Sequence, residues 1–138
     1  MLYEELSPGD ELPPRTVEDL LGSDMKLLAA ILQDPYPPHY DARRAEEMDY
    51  PGLLNQGPAN LSYLLQSIVP ILDSPSDLRS FDVRFQDMVF EDETVTTAAT
   101  VADKWIENSD GHVEFEVELC REDDVIVGGT VTARVPRK

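Results

Sequence analysis

The sequence predicts an α+β fold in which an antiparallel sheet curves around one apolar helix. Three observations carry that prediction. Leu61, Leu64, Leu65, Ile68, Val69 and Leu72 recur at helical spacing and form one apolar stripe. Residues 113–119 alternate strictly, with Val113, Phe115, Val117 and Leu119 set against Glu114, Glu116 and Glu118. That is a strand with one apolar and one acidic face. The helical patterns also precede the main run of strand patterns, as in folds that pack helices on one side of an antiparallel sheet.

Taken in order, Leu6-Ser7-Pro8-Gly9-Asp10 reads as a turn, and residues 11–17 as an extended edge limited by Pro13 and Pro14. Residues 17–33 carry Leu20, Leu21, Met25, Leu28, Ala29 and Leu32 at helical spacing. Thr16 is placed to cap that helix, Glu18 and Asp19 suit its positive end, and Gly22 weakens its centre. Asp41 caps a short helix reaching about residue 48. Tyr50-Pro51-Gly52 ends it. Asn55-Gln56-Gly57-Pro58 then opens the apolar helix, with proline at a favourable first-turn position. Strands follow at 81–85, 94–101, 113–119 and 125–135, separated by the turn signals Asn108-Ser109-Asp110-Gly111 and Arg121-Glu122-Asp123-Asp124. Gly128-Gly129 marks a bulge or a close backbone approach in the last strand. Together these predict an antiparallel meander. No repeat or linker divides the chain, so residues 1–138 read as one domain.

Charge narrows the function. Eleven basic residues stand against 28 acidic ones, a net charge of −17. Such a surface repels nucleic acid and anionic membranes. It suits a protein kept soluble in concentrated salt, or simply an acidic cytosolic one. No apolar run reaches the length of a membrane span, the start has no basic leader, and the single Cys120 excludes an internal disulfide. A reduced, cytoplasmic setting is the expectation.

The segment Asp34-Pro35-Tyr36-Pro37-Pro38-His39-Tyr40-Asp41 carries the chemistry. Its prolines exclude a helix interior and make a stiff loop. The loop presents a carboxylate and an imidazole, groups that exchange a proton near neutrality. Gly57 opens the apolar helix, where its N–H and the helix dipole suit a developing oxyanion. An acid/base pair with an oxyanion site fits the addition or removal of water beside an activated acyl carbonyl. Asp34, His39 and Asp41 have no further His or Cys cluster to complete a metal site. His112 and Trp105 read as structural, and Cys120 lacks a partner that would make it a nucleophile.

Asp34-x-x-Pro37-x-His39-x-Asp41, Ala45 beyond it and Gly57 at a helix start resemble the MaoC-like hydratase/dehydratase family, which includes the (R)-specific enoyl-CoA hydratases. The opening Leu6-Ser7-Pro8-Gly9-Asp10-Glu11-Leu12, Val83-Arg84-Phe85, Glu91-Asp92-Glu93-Thr94 and Gly128-Gly129-Thr130 extend the likeness along nearly the whole chain. The resemblance implies a hot-dog fold, an antiparallel sheet wrapped around a long helix. It also implies a homodimer or a heterodimer of such subunits, and reversible hydration of a trans-2-enoyl thioester. Asp34 and His39 would activate the water that attacks C3, one of them would return a proton to C2, and the Gly57 N–H would polarise the carbonyl. Ser62 would line the pocket. Coenzyme A would carry the substrate, and no cofactor is implied; Arg43, Arg44 and Arg84 are the candidate phosphate contacts. Three positions depart from the family. Gln33 stands for its glycine, Tyr36 for its asparagine and Pro38 for its aliphatic residue. Tyr36 would narrow the pocket or add a phenol. Two rival readings stay open: a non-catalytic subunit completing a partner's tunnel, and a thioesterase.

Overall fold

In the computed structural model, which describes residues 1–138, the long strands form the sheet and the apolar helix packs against it. The elements are β1 (Thr16–Val17), α1 (Gly22–Ile31), α2 (Ala42–Glu47), α3 (Gly57–Leu65), β2 (Leu78–Phe85), β3 (Val95–Glu107), β4 (Asp110–Arg121) and β5 (Asp124–Val135). The sheet order is β1-β3-β4-β5-β2, antiparallel throughout. The alternation in β4 does what the sequence predicts. Val113, Phe115, Val117 and Leu119 are buried against Leu64 and Ile68, while Glu116 and Glu118 face solvent.

Two elements differ from the sequence reading, each for a long-range reason. Residues 16–20 do not begin a helix. Thr16 and Val17 pair with Thr96 and Val95, and the Thr16 hydroxyl meets that of Thr96 at 3.0 Å. The Leu20 N–H donates to the Glu93 carbonyl, and the Leu20 carbonyl accepts from Asp92. This pairing across the chain outweighs the local helical period, so α1 begins only at Gly22 with no side-chain cap. The central helix is also shorter than its stripe. Pro70 has no N–H to give to the Gln66 carbonyl, so the chain leaves the α-helix after Leu65 and tightens into a 3-10 turn at Val69–Ile71. Ile68 nevertheless stays fully buried.

β3, β4 and β5 form a meander, but β2 does not precede β3 in space. It lies on the far side of β5, and residues 86–94 carry the chain back across the molecule. Val89 and Phe90 of this crossing are buried. Asn55 donates from its N–H to the Val89 carbonyl, and Arg121 clamps the crossing through Asp87 at 2.8 Å and Glu93 at 3.2 Å. The β2–β5 pairing depends on Gly129. A Cβ there would collide with the Asp82 carbonyl oxygen and lie 2.8 Å from the Val83 Cα. Gly129 is thus the close backbone approach that the sequence suggested. β2 leaves one edge of the sheet open, and Phe81 and Phe85 are about half exposed along it. No helix is long and apolar enough to cross a membrane.

Candidate active site

The proline segment folds as a tight turn, Pro37–His39, between the end of α1 and the start of α2. Asp41 caps α2, accepting from the Arg43 and Arg44 N–H groups at 3.0 and 3.2 Å. His39 is buried at 6% exposure. Residue 54 fixes it from two directions. The Leu54 N–H donates to the Pro38 carbonyl at 2.9 Å, and the Leu54 carbonyl lies 2.8 Å from His39 Nδ1. A carbonyl only accepts, so Nδ1 carries a hydrogen and donates. The other ring nitrogen, Nε2, is 3.2 Å from Asp34 Oδ2. That contact is bonded only when a second proton sits between the two atoms. Asp34 and His39 are therefore brought together, with the imidazole orientation set by the main chain. The carboxylate end stays about one-third exposed. The Tyr36 ring meets His39 edge-on, with centroids 5.4 Å apart.

Gln33, immediately before Asp34, has a φ of +51°. This is the left-handed region that glycine enters freely. The departure at position 33 thus keeps a backbone suited to glycine and makes glutamine adopt it. The left-handed conformation costs a non-glycine residue about 1–2 kcal/mol, and glycine gives back part of that through unfolded-chain entropy. Gln33→Gly is expected to raise stability by about 0.5–1 kcal/mol in chemical denaturation, and Gln33→Val to lower it. Equal stability of the three proteins would show that the residue is not strained.

Gly57 opens α3. Pro58 has no N–H, and the Ala59 N–H folds back to the Gln56 carbonyl at 3.0 Å. This leaves the Gly57 N–H at the tip of the helix. Neither backbone nor neighbours require glycine here. Its φ is not positive, and a Cβ would make only an ordinary contact, 3.6 Å from the Phe85 ring. Behind the tip lies a buried polar network. Asn55 donates to Asn60 at 2.7 Å, and Gln56 donates to the Met25 carbonyl at 2.8 Å. Burial pushes the Tyr63 hydroxyl above the usual phenol range, Asn55 draws it down in part, and the Asp24 charge adds to the rise. Tyr63 stays a neutral phenol.

Two clefts flank α1 on opposite faces. One, about 590 Å³, is lined by Lys26, Gln33, Asp34, Pro35 and Tyr40. The other, about 470 Å³, runs between α1 and α3 and is lined by Leu27, Leu28, Leu32, Ala59, Ser62 and Tyr63, with Asp24 at its edge. So Asp34 and Ser62 open on different clefts, and Gly57 lines neither. The predicted cations do not line the Asp34 cleft. Arg43 and Arg44 turn to Glu47 at 3.5 and 3.1 Å. Arg84 lies on the outer face of the sheet, in a groove with Glu116 and Glu118. Among other candidates, burial and the adjacent Glu118 carboxylate push the Cys120 thiol up, which makes it a poor nucleophile. His112 stacks on Trp105, with centroids 5.7 Å apart.

Sequence reasoning missed two residues beside the pair. Leu54 acts through its carbonyl, and no side-chain pattern announces that. Lys26, with Ala29, Ala30 and Gln33 on one helical face, lines the cleft that Asp34 opens on.

No family model and no curated protein matches this sequence. Solved structures do match. The R-hydratase PhaJ1 from Pseudomonas aeruginosa, in its unliganded form, has a TM-score of 0.82 at 21% identity, covering 99% of this chain and 86% of that one. A MaoC-like dehydratase from Rhodospirillum rubrum has a TM-score of 0.83 at 17% identity, covering 100% and 98%. The ChsH1-ChsH2 complex from Mycobacterium tuberculosis has a TM-score of 0.77 at 17% identity, covering 94% and 98%. The chain therefore has the hot-dog fold of the MaoC-like dehydratases and R-hydratases.

Proposed function

We propose that this protein is a hydro-lyase of the MaoC-like kind, which adds water across the C2–C3 double bond of an enoyl thioester and removes it in reverse. The observation that carries the reading is the Asp34–His39 contact at 3.2 Å, with His39 held from behind by the Leu54 carbonyl. With Nδ1 committed to that carbonyl, only Nε2 and the Asp34 carboxylate remain for proton transfer. A water held by both groups gives its oxygen to C3 and one hydrogen to the pair. The pair returns a proton to C2, so one water is added and the pair ends as it began. The thioester oxygen gains negative charge while C2 is a carbanion-like centre, and the N–H at the tip of α3 is suited to meet it. The short segment 54–57 joins the residue that tethers His39 to that tip. Gly57, which the fold itself does not need as glycine, fits a backbone approached by a ligand.

The functional unit in this reading is an assembly joined at the open β2 edge. Phe81 and Phe85 there form an apolar strip, and Phe85 is the residue against Gly57. A second copy would suffice. The likeness to a two-component complex keeps a different hot-dog partner as the rival.

The test is to incubate the purified chain alone with a trans-2-enoyl-CoA series and follow loss of the conjugated enoyl absorbance, with free thiol measured in parallel. Hydration without thiol release is the expected result. Thiol release would make the protein a thioesterase, and inactivity that a partner subunit restores would make it a scaffold. Gly57→Ala is expected to fold normally and lose about tenfold or more in kcat, since one methyl crowds the oxyanion donor.

A further inference from the structure

We propose that Lys26 is the contact for the phosphate-bearing end of the thioester carrier, a role that rests on the hydro-lyase reading above. The surface as a whole opposes such a ligand, because the chain carries −17. Most of its cations are already engaged. Arg43 and Arg44 turn to Glu47, Arg121 to Asp87 and Glu93, Arg134 to Asp77, and Arg137 to Glu4. Lys104 donates to the Tyr3 and Leu6 carbonyls.

Lys26 forms no ion pair, and it lines the same cleft as Asp34. The other residues of that cleft are uncharged, among them Gln33, Pro35 and Tyr40. Asp34 itself faces His39. The cleft is thus a window without excess negative charge in a strongly negative surface, lined by one unpaired ammonium and by the Asp34 carboxylate. An anionic carrier whose thioester reaches Asp34 would enter past Lys26. A lysine suits this task as a point charge on a flexible stem, since phosphate needs no fixed fork. Of the three arginines named from the sequence, two turn to Glu47 and the third lies on the outer face of the sheet, whereas Lys26 is the cation that shares a cleft with Asp34.

The experiment compares wild type, Lys26→Ala and Lys26→Glu on two substrates with the same enoyl group, the coenzyme A thioester and the N-acetylcysteamine thioester, which lacks all phosphates. At low salt, Lys26→Glu is expected to raise KM for the coenzyme A thioester about tenfold, with kcat unchanged and with no effect on the phosphate-free substrate. Lys26→Ala should fall between, and the differences should shrink as salt is added. Direct titration with coenzyme A and with pantetheine separates this inference from the reading beneath it. Weaker binding of coenzyme A alone in Lys26→Glu supports the contact even if no hydration is found. Equal binding of coenzyme A by wild type and Lys26→Glu, or equal weakening towards coenzyme A and pantetheine, overturns it.

Discussion

Replacing His39 by asparagine is expected to remove hydration while leaving the protein folded. The asparagine amide can occupy the position of Nδ1 and continue to donate to the Leu54 carbonyl, now 2.8 Å from the ring. Nothing then stands at Nε2 to exchange a proton with Asp34. General acid–base catalysis of this kind contributes about 10²–10⁴-fold, so kcat should fall by about three orders of magnitude. Asp34→Asn keeps the side-chain shape and removes the proton acceptor, with a similar loss. The two groups act on one water, so the double variant should be no worse than about the poorer single one. The measurement is steady-state hydration of an enoyl-CoA, alongside circular dichroism and thermal melting of each variant. Turnover near that of wild type in both folded single variants would end the hydro-lyase reading.

The largest effect on stability is expected at Gly129. An alanine Cβ there would strike the Asp82 carbonyl oxygen and press on the Val83 backbone. Main chain cannot swing away as a side-chain end can. The β2–β5 ladder, which pairs Asp82 with Thr130 and Val83 with Gly129, must open. Gly129→Ala should cost at least about 3 kcal/mol, in the range of severe core overpacking, as read from urea denaturation. Gly57→Ala is the matched control, because the added methyl meets only the Phe85 ring at 3.6 Å. A melting temperature for Gly129→Ala equal to that of the control would show that the strands separate without penalty.

The sequence exposed features whose cause is local. Pro58 beside Gly57 marked the start of α3, the alternation of valines and glutamates marked β4, and the prolines around His39 marked the stiff loop. Features whose cause is distant were hidden. Thr16 and Val17 look like a helix start until Val95 and Thr96 are beside them. β2 looks like the first strand of a meander until Gly129 admits its backbone next to β5. Glutamine at 33 does not itself announce a left-handed φ; the only hint was the glycine that the resembled family has there, and the path from α1 into the proline turn imposes it. The likeness to a family gave the Asp34–His39 pair its meaning, but it pointed to arginines already matched with Glu47 or placed behind the sheet.

The tether on His39 is a peptide oxygen, and this has a consequence for how the protein tolerates change. Any residue but proline, which would lose the N–H given to the Pro38 carbonyl, can replace leucine at position 54 without deleting either main-chain contact. The imidazole would keep its hydrogen on Nδ1 through such drift, whereas a carboxylate in the same post would be lost with one codon. Sequence variation at that position therefore speaks only to packing, and the aim of the ring is inherited from the course of the chain.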